Sequence, residues 1–134
     1  MYQEASPQST FEALQNNPQA QLIDCRTQAE WSFVGMPDLS SIGRAIIQLE
    51  WQGLDGKRNS NFVAQVEQNL PKDTPIYILC RSGVRSAAAC TTLAEHGFTQ
   101  LFNITGGFEG NTNADGHRGQ TEGWKYDQLP WRQP

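Results

Sequence analysis

The stretch Pro75-Ile76-Tyr77-Ile78-Leu79-Cys80-Arg81-Ser82-Gly83-Val84-Arg85-Ser86 joins a short apolar run to a glycine-containing loop, and an Ala-rich segment from Ser86 to His96 follows at once. The apolar run reads as a buried strand, and the Ala-rich segment, stopped by Gly97, reads as a helix. Strand, tight loop and helix form the repeating unit of a parallel sheet that is covered on both faces. Similar apolar runs occur at Gln21–Cys25, Ala45–Leu49 and Leu101–Ile104, with Tyr2–Ala5 as a short edge strand. Between them, Ser9–Leu14 and Ser60–Leu70 read as helices, the second placing Phe62, Val63, Val66 and Leu70 on one face. The expected fold is α/β in three layers, a mostly parallel central sheet of about five strands with helices on both faces. Gly35–Gly43, holding Pro37, Asp38, Ser40 and Ser41, reads as a loop. Asn111–Pro134 has little periodicity but carries Trp124, Tyr126, Leu129 and Trp131. It is expected to pack irregularly on the domain rather than to hang free. Residues 1–134 are thus read as one domain, with its core at about 2–110.

Composition bounds the partners. At 134 residues and 15.0 kDa the chain fits a single domain, and 37% hydrophobic residues suffice for one core. Acidic residues outnumber basic ones 14 to 10, for a net charge of -4, which argues against nucleic acid as a partner. No apolar run approaches the roughly 18 residues of a membrane span, and Met1–Pro7 has neither the basic start nor the apolar stretch of a secretory signal. No membrane partner and a cytoplasmic location are expected. Three cysteines (Cys25, Cys80 and Cys90) cannot all pair, and no Cys-x-x-Cys or His-x-x-x-His spacing marks a metal site.

The chemistry concentrates in the loop after Cys80. Ligands of a parallel α/β sheet bind at the carboxyl ends of its strands. A short loop there can curl its backbone N–H groups inward into an anion nest, and the following helix N-terminus adds unpaired N–H groups and a positive dipole end. Gly83 permits the torsions of such a curl. A cysteine at the base of the nest has its charged form contacted by those amides. That matters because an ordinary thiol is only about 3% ionised at pH 7. Arg81 and Arg85 add positive charge for an anionic substrate. A plain core cysteine requires neither the glycine loop nor the two arginines.

Cys80 to Ser86 resembles the active-site loop of the rhodanese domains, the thiosulfate sulfurtransferases. Leu22-Ile23-Asp24-Cys25-Arg26 is similar to that family's Leu-Ile-Asp-Val-Arg strand, with Glu30-Trp31 after it, and Ile104-Thr105-Gly106-Gly107-Phe108 is similar to its glycine stretch after the last strand. The resemblance covers about Tyr2 to Gly110; the tail, with Gly123-Trp124-Lys125 and Leu129-Pro130-Trp131, is similar to that of a bacterial single-domain subgroup. The family's Gly-His-Ile-Pro-Gly-Ala is replaced by Gly35-Met36-Pro37-Asp38-Leu39 and a longer loop, so nothing of that histidine segment carries over. The resemblance implies sulfur transfer in two steps through a persulfide on Cys80. The donor is thiosulfate or a similar small anion, the acceptor is a thiol or cyanide, and no metal or organic cofactor is implied. Arg81, Ser82, Gly83, Val84, Arg85 and Ser86 are the expected substrate-binding residues.

Two rivals stand beside this reading. Cysteine phosphatases place five residues between cysteine and arginine, whereas four separate Cys80 from Arg85, and no aspartate general acid stands in the loop. The smaller ring constricts the space for a tetrahedral phosphate. The other rival is a carrier or binding module that relays sulfur to a partner protein, which the loop alone does not distinguish from thiosulfate turnover. Asp24 and Arg26 are expected to brace the loop as a charged network, with Glu30 as a cap or as a partner of Arg26. Cys90 reads as a small core residue. His96 sits near a helix end without evident chemistry, and His117 and Arg118 read as a solvent-facing loop. Cys25 carries two readings: a buried residue in place of valine, the favoured one, or a thiol that resolves an oxidised Cys80.

Overall fold

The computed structural model describes residues 1–134. Helix α1 (Pro7–Asn16) follows strand β1 (Gln3–Ala5) and leads to β2 (Gln21–Asp24), α2 (Gln28–Phe33), β3 (Met36–Pro37) and a 3₁₀ turn at Ser40–Ile42. Then come β4 (Ile47–Gln48), α3 (Phe62–Asn69), β5 (Ile76–Leu79), α4 (Val84–Glu95), β6 (Leu101–Ile104) and β7 (Trp131–Arg132). Strands β1, β6, β5, β2 and β4 lie side by side in that order, every pair parallel. Strand β5, which leads into the Cys80 loop, is therefore central, flanked by β2 and β6.

Alternation along these strands builds two cores. Ile23, Ile76, Ile78 and Leu101 face α3 and α4, packing on Phe62, Val66, Ala89 and Leu93. Leu22, Leu79 and Ile104 face the other way, onto Leu14 of α1, Leu39, Phe108 and Trp124. The fold is thus the three-layer α/β arrangement expected from the sequence. No helix is long and apolar enough to cross a membrane.

Local signals explain the element boundaries. Helix α1 begins at Pro7 rather than Ser9, because the Ser6 side chain accepts from Ser9 N–H and Pro7 occupies the first turn, where its missing N–H costs nothing. Helix α2 was not expected. A reciprocal capping box starts it, Thr27 accepting from Glu30 N–H while the Glu30 carboxylate accepts from Thr27 N–H. Strand β4 is shorter than the run Ala45–Leu49, since as an edge strand it pairs only through Ile47 and Gln48.

The C-terminal segment is tied in. Trp124 is fully buried and its indole N–H donates to Pro130 O at 2.7 Å. Strand β7 pairs antiparallel with β3, so Met36 and Pro37, expected as loop, form a small second sheet with the tail. Gly35 makes this approach possible: a Cβ there would meet Arg132 O at 2.7 Å, and its φ is +106°.

Candidate active site

Cys80 closes β5 at the carboxyl end of the sheet and is 1% exposed. Gly83, at φ +111°, turns the chain into α4 as its N-cap residue. The curl aims Gly83 N–H and Ser86 N–H at the Cys80 Sγ, at 3.1 and 3.3 Å. The N–H groups of Arg81, Ser82, Val84 and Arg85 have no backbone acceptor, as expected of a nest that runs into a helix N-terminus.

The carbonyls of the loop are turned away and held. Cys80 O accepts from Phe108 N–H at 2.8 Å, and Arg81 O accepts from Glu109 and Gly110 N–H at 3.0 and 3.1 Å. This back-to-back contact with residues 107–110 leaves the amide face of the loop directed at the sulfur. It requires Gly107, where a Cβ would stand 2.4 Å from Cys80 O. The tail supports the same segment, since Trp124 N–H donates to Gly107 O and Lys125 N–H to Phe108 O.

Ser86 is buried, and its Oγ lies 3.2 Å from the Cys80 Sγ. Asn103 fixes the direction of that hydroxyl. Its Nδ2 donates to Gly83 O and to the Glu4 carboxylate, so its Oδ1 is left to accept from Ser86 Oγ–H. In the sequence alone, Asn103, Glu4 and Gly107 have no individual role at the site. The available signals were a polar residue inside the apolar run of β6 and the Gly106-Gly107 pair.

The two arginines play different parts. Arg85 makes a two-pronged ion pair with Glu30, at 2.7 and 2.8 Å. Burial alone pushes the Glu30 carboxyl up, but the Arg85 hydrogen bonds, the Thr27 N–H and the charges of Arg85 and Arg26 outweigh it and hold the group at about 2. Glu30 raises Arg85 in turn, against the opposing effect of burial. The charge of Arg85 is therefore largely spent within the protein. Arg81 is exposed and unpaired, and it lines a cleft of about 300 Å³ with Glu30, Gln52, Leu54 and Arg85. Ser82 is half-buried and Val84 is exposed.

Asp24 and Arg26 lie on the opposite side of the sheet from the Cys80 sulfur. Arg26 Nε and Nη2 reach Asp24 Oδ1 and Oδ2 at 2.9 and 2.6 Å, with both side chains fully buried. Nη2 also donates to Gly35 O, and the guanidinium lies 4.3 Å from the centre of the Phe108 ring. Through Phe108, the pair supports the segment that holds Cys80 O. Of the two expectations for Glu30, the cap holds, through the Thr27 capping box, and the pairing with Arg26 does not: helix α2 turns the carboxylate toward Arg85 instead. His117 is exposed, and Arg118 donates to Gly110 O at 2.7 Å. No cluster of His, Cys, Asp or Glu suited to a metal ion is present.

Comparison with known proteins agrees with this architecture. A family model described as the STR4 middle domain matches residues 2–134. An uncharacterized protein of Rickettsia prowazekii, RP600, is 40% identical over 116 residues, which is 87% of this chain and 85% of that one. The chloroplastic rhodanese-like domain-containing protein 4 of Arabidopsis thaliana is 26% identical across 96% of this chain and 25% of its own length. A protein of Allochromatium vinosum named sulfurtransferase is 28% identical over 80% of this chain and 85% of its own. The crystal structure of Rv0390 from M. tuberculosis superposes with a TM-score of 0.92 at 45% identity, covering 100% of both chains. With one family model spanning nearly all of its length and the parallel sheet and cysteine loop described above, the chain belongs to the STR4 middle-domain family and is a rhodanese-like protein.

Proposed function

We propose that the protein is a sulfurtransferase that carries sulfane sulfur as a persulfide on Cys80. The observation that carries this reading is the pair of backbone N–H groups, from Gly83 and Ser86, directed at the Cys80 Sγ. They favour negative charge on the sulfur, first as the attacking thiolate and then on the persulfide. In the first step the thiolate attacks the outer sulfur of thiosulfate, the sulfur–sulfur bond breaks, and sulfite leaves with the electron pair. In the second, a cyanide or thiolate acceptor attacks the outer sulfur and returns Cys80 as thiolate. Arg81, exposed in the cleft and unpaired, is the cation that meets the incoming anion. Arg85 and Glu30 act as a clamp that holds α4 against α2. Neither step uses a metal or organic cofactor.

A second acceptor class is favoured by the rim. Leu54, which lines the cleft, is 80% exposed, and Val84, next to Arg85 in the chain, is 75% exposed. Apolar side chains beside the cleft suit a protein thiol better than a small ion. The reading is tested by following thiocyanate formation from thiosulfate and cyanide, beside sulfur delivery to a reduced thiol protein. Turnover in either assay that vanishes in Cys80→Ala supports it. Turnover that survives Cys80→Ala, or its absence from both assays, refutes it.

A further inference from the structure

Cys25 has no part in the transfer steps, yet the sheet sets it beside the reactive cysteine. Strands β2 and β5 are parallel and in register, with Ile23 opposite Ile78 and Asp24 opposite Leu79. The ladder continues past the strand ends, where Cys25 N–H donates to Leu79 O at 2.9 Å. The next pair in this register is Cys25 and Cys80. Residues two apart share a face of a strand, and Ile23, Cys25, Ile78 and Cys80 all lie in one core cluster. Neighbouring strands run about 4.8 Å apart, inside the roughly 4.4–6.8 Å Cα separation a disulfide accepts. Cys90 shares the cluster but is placed differently. Ser86 is the α4 residue that meets the Cys80 sulfur, and Cys90 stands one helical turn, about 6 Å, further along.

We propose that Cys25 is a resolving thiol for Cys80, the two closing a reversible disulfide across the β2–β5 pair when the site is oxidised by a peroxide. The Cys80 thiolate attacks one peroxide oxygen, the oxygen–oxygen bond breaks, and Cys80 becomes a sulfenic acid as hydroxide leaves. The Cys25 thiol then attacks that sulfur, a sulfur–sulfur bond forms, and the sulfenic oxygen departs as water. Two thiols lose two electrons and the peroxide is reduced to two waters. A dithiol reductant reverses the step by thiol–disulfide exchange. Closing the bond takes the Cys80 sulfur out of transfer and keeps it from the irreversible sulfinic acid. Burial, with the neighbouring Cys80 and Asp24 adding to it, raises the Cys25 thiol well above its ordinary value, so in the resting enzyme it does not compete for the donor's sulfur. Both thiols are buried, but the Gly83 and Ser86 N–H groups point at the Cys80 sulfur, which makes Cys80 the group that reacts with an oxidant first.

The test treats wild type and Cys25→Val with hydrogen peroxide, blocks the remaining thiols, and maps unreduced peptides by mass spectrometry. Wild type is expected to yield a Cys25–Cys80 linked peptide and to recover its starting rate after dithiothreitol. Cys25→Val is expected to carry sulfinic acid on Cys80 and to stay inactive. Sulfinic Cys80 with free Cys25 in wild type, or a Cys80–Cys90 link, overturns the proposal. The peptide map does not depend on turnover, so it decides the matter even if the protein transfers no sulfur. If Cys25→Val fails to fold, the wild-type map decides alone.

Discussion

Replacing Gly107 by alanine strikes the point where the glycine stretch backs the cysteine loop. The added Cβ would stand 2.4 Å from Cys80 O and 2.7 Å from Arg81 C and O, all backbone atoms that cannot swing aside. Overpacking of this kind costs about 1–3 kcal/mol, and the left-handed backbone, at φ +59°, adds about 1–2 kcal/mol for a residue with a side chain. The sum is about 2–5 kcal/mol, which for a domain of this size lowers Tm by about 6–25 °C. Relief requires the loop to retreat by nearly an ångström, which loosens the Phe108 N–H bond to Cys80 O and turns the amides off the sulfur. A displacement of that size costs about 100-fold in turnover. Gly116→Ala is the control: its φ is +79° and nothing lies within 4 Å of the added carbon, so only the backbone term of about 1–2 kcal/mol remains. Thermal unfolding and a sulfur-transfer assay on both variants make the comparison. If Gly107→Ala melts with Gly116→Ala and keeps full turnover, the back-to-back bracing of the loop is wrong.

The Glu30–Arg85 pair gives a pH dependence of definite sign. The folded carboxyl titrates at about 2 against an ordinary 4.5, so its contribution is complete above about pH 4.5 and is lost as pH falls toward 2. Up to about 3 kcal/mol is at stake; the gap in urea midpoint between wild type and Glu30→Gln should shrink by about half between pH 6 and pH 3, and a constant gap would contradict the pair. Arg81→Ala is expected to lower kcat/KM for thiosulfate about 10-fold while sparing uncharged sulfur donors, and equal losses for both would remove Arg81 from anion recognition. Trp124→Ala deletes a fully buried side chain and its bond to Pro130 O, so urea unfolding should show a loss of about 3–5 kcal/mol; a loss under 1 kcal/mol would mean that the tail is not part of the core.

The long apolar strands and the Ala-rich helix were legible because each repeats one physical signal over a full element. Helix α2 was not, since its six residues are too few for a periodicity and its only mark is the Thr27–Glu30 capping box. Strands β3 and β7 have two residues each and exist through pairing with one another across almost a hundred positions. At the site, Cys80, Gly83 and Ser86 were readable because they are contiguous. The partner of Glu30 was not: spacing on one helix pointed to Arg26, while the real partner stands 55 residues away on α4. Arg26 does pair with its near neighbour Asp24, as the expected charged network has it, whereas its approach to the Phe108 ring is set by the fold and carries no local sequence signal.

The claim that Cys80 carries sulfur is tested most directly by intact mass spectrometry of the reduced protein after incubation with thiosulfate, with Cys80→Ser in parallel. The expected result is a gain of one sulfur atom on wild type, removed by cyanide, and no gain on Cys80→Ser, whose hydroxyl cannot hold a sulfane sulfur. An unchanged wild-type mass with Cys80 reduced and accessible to alkylation, or the same gain on Cys80→Ser, would contradict the claim.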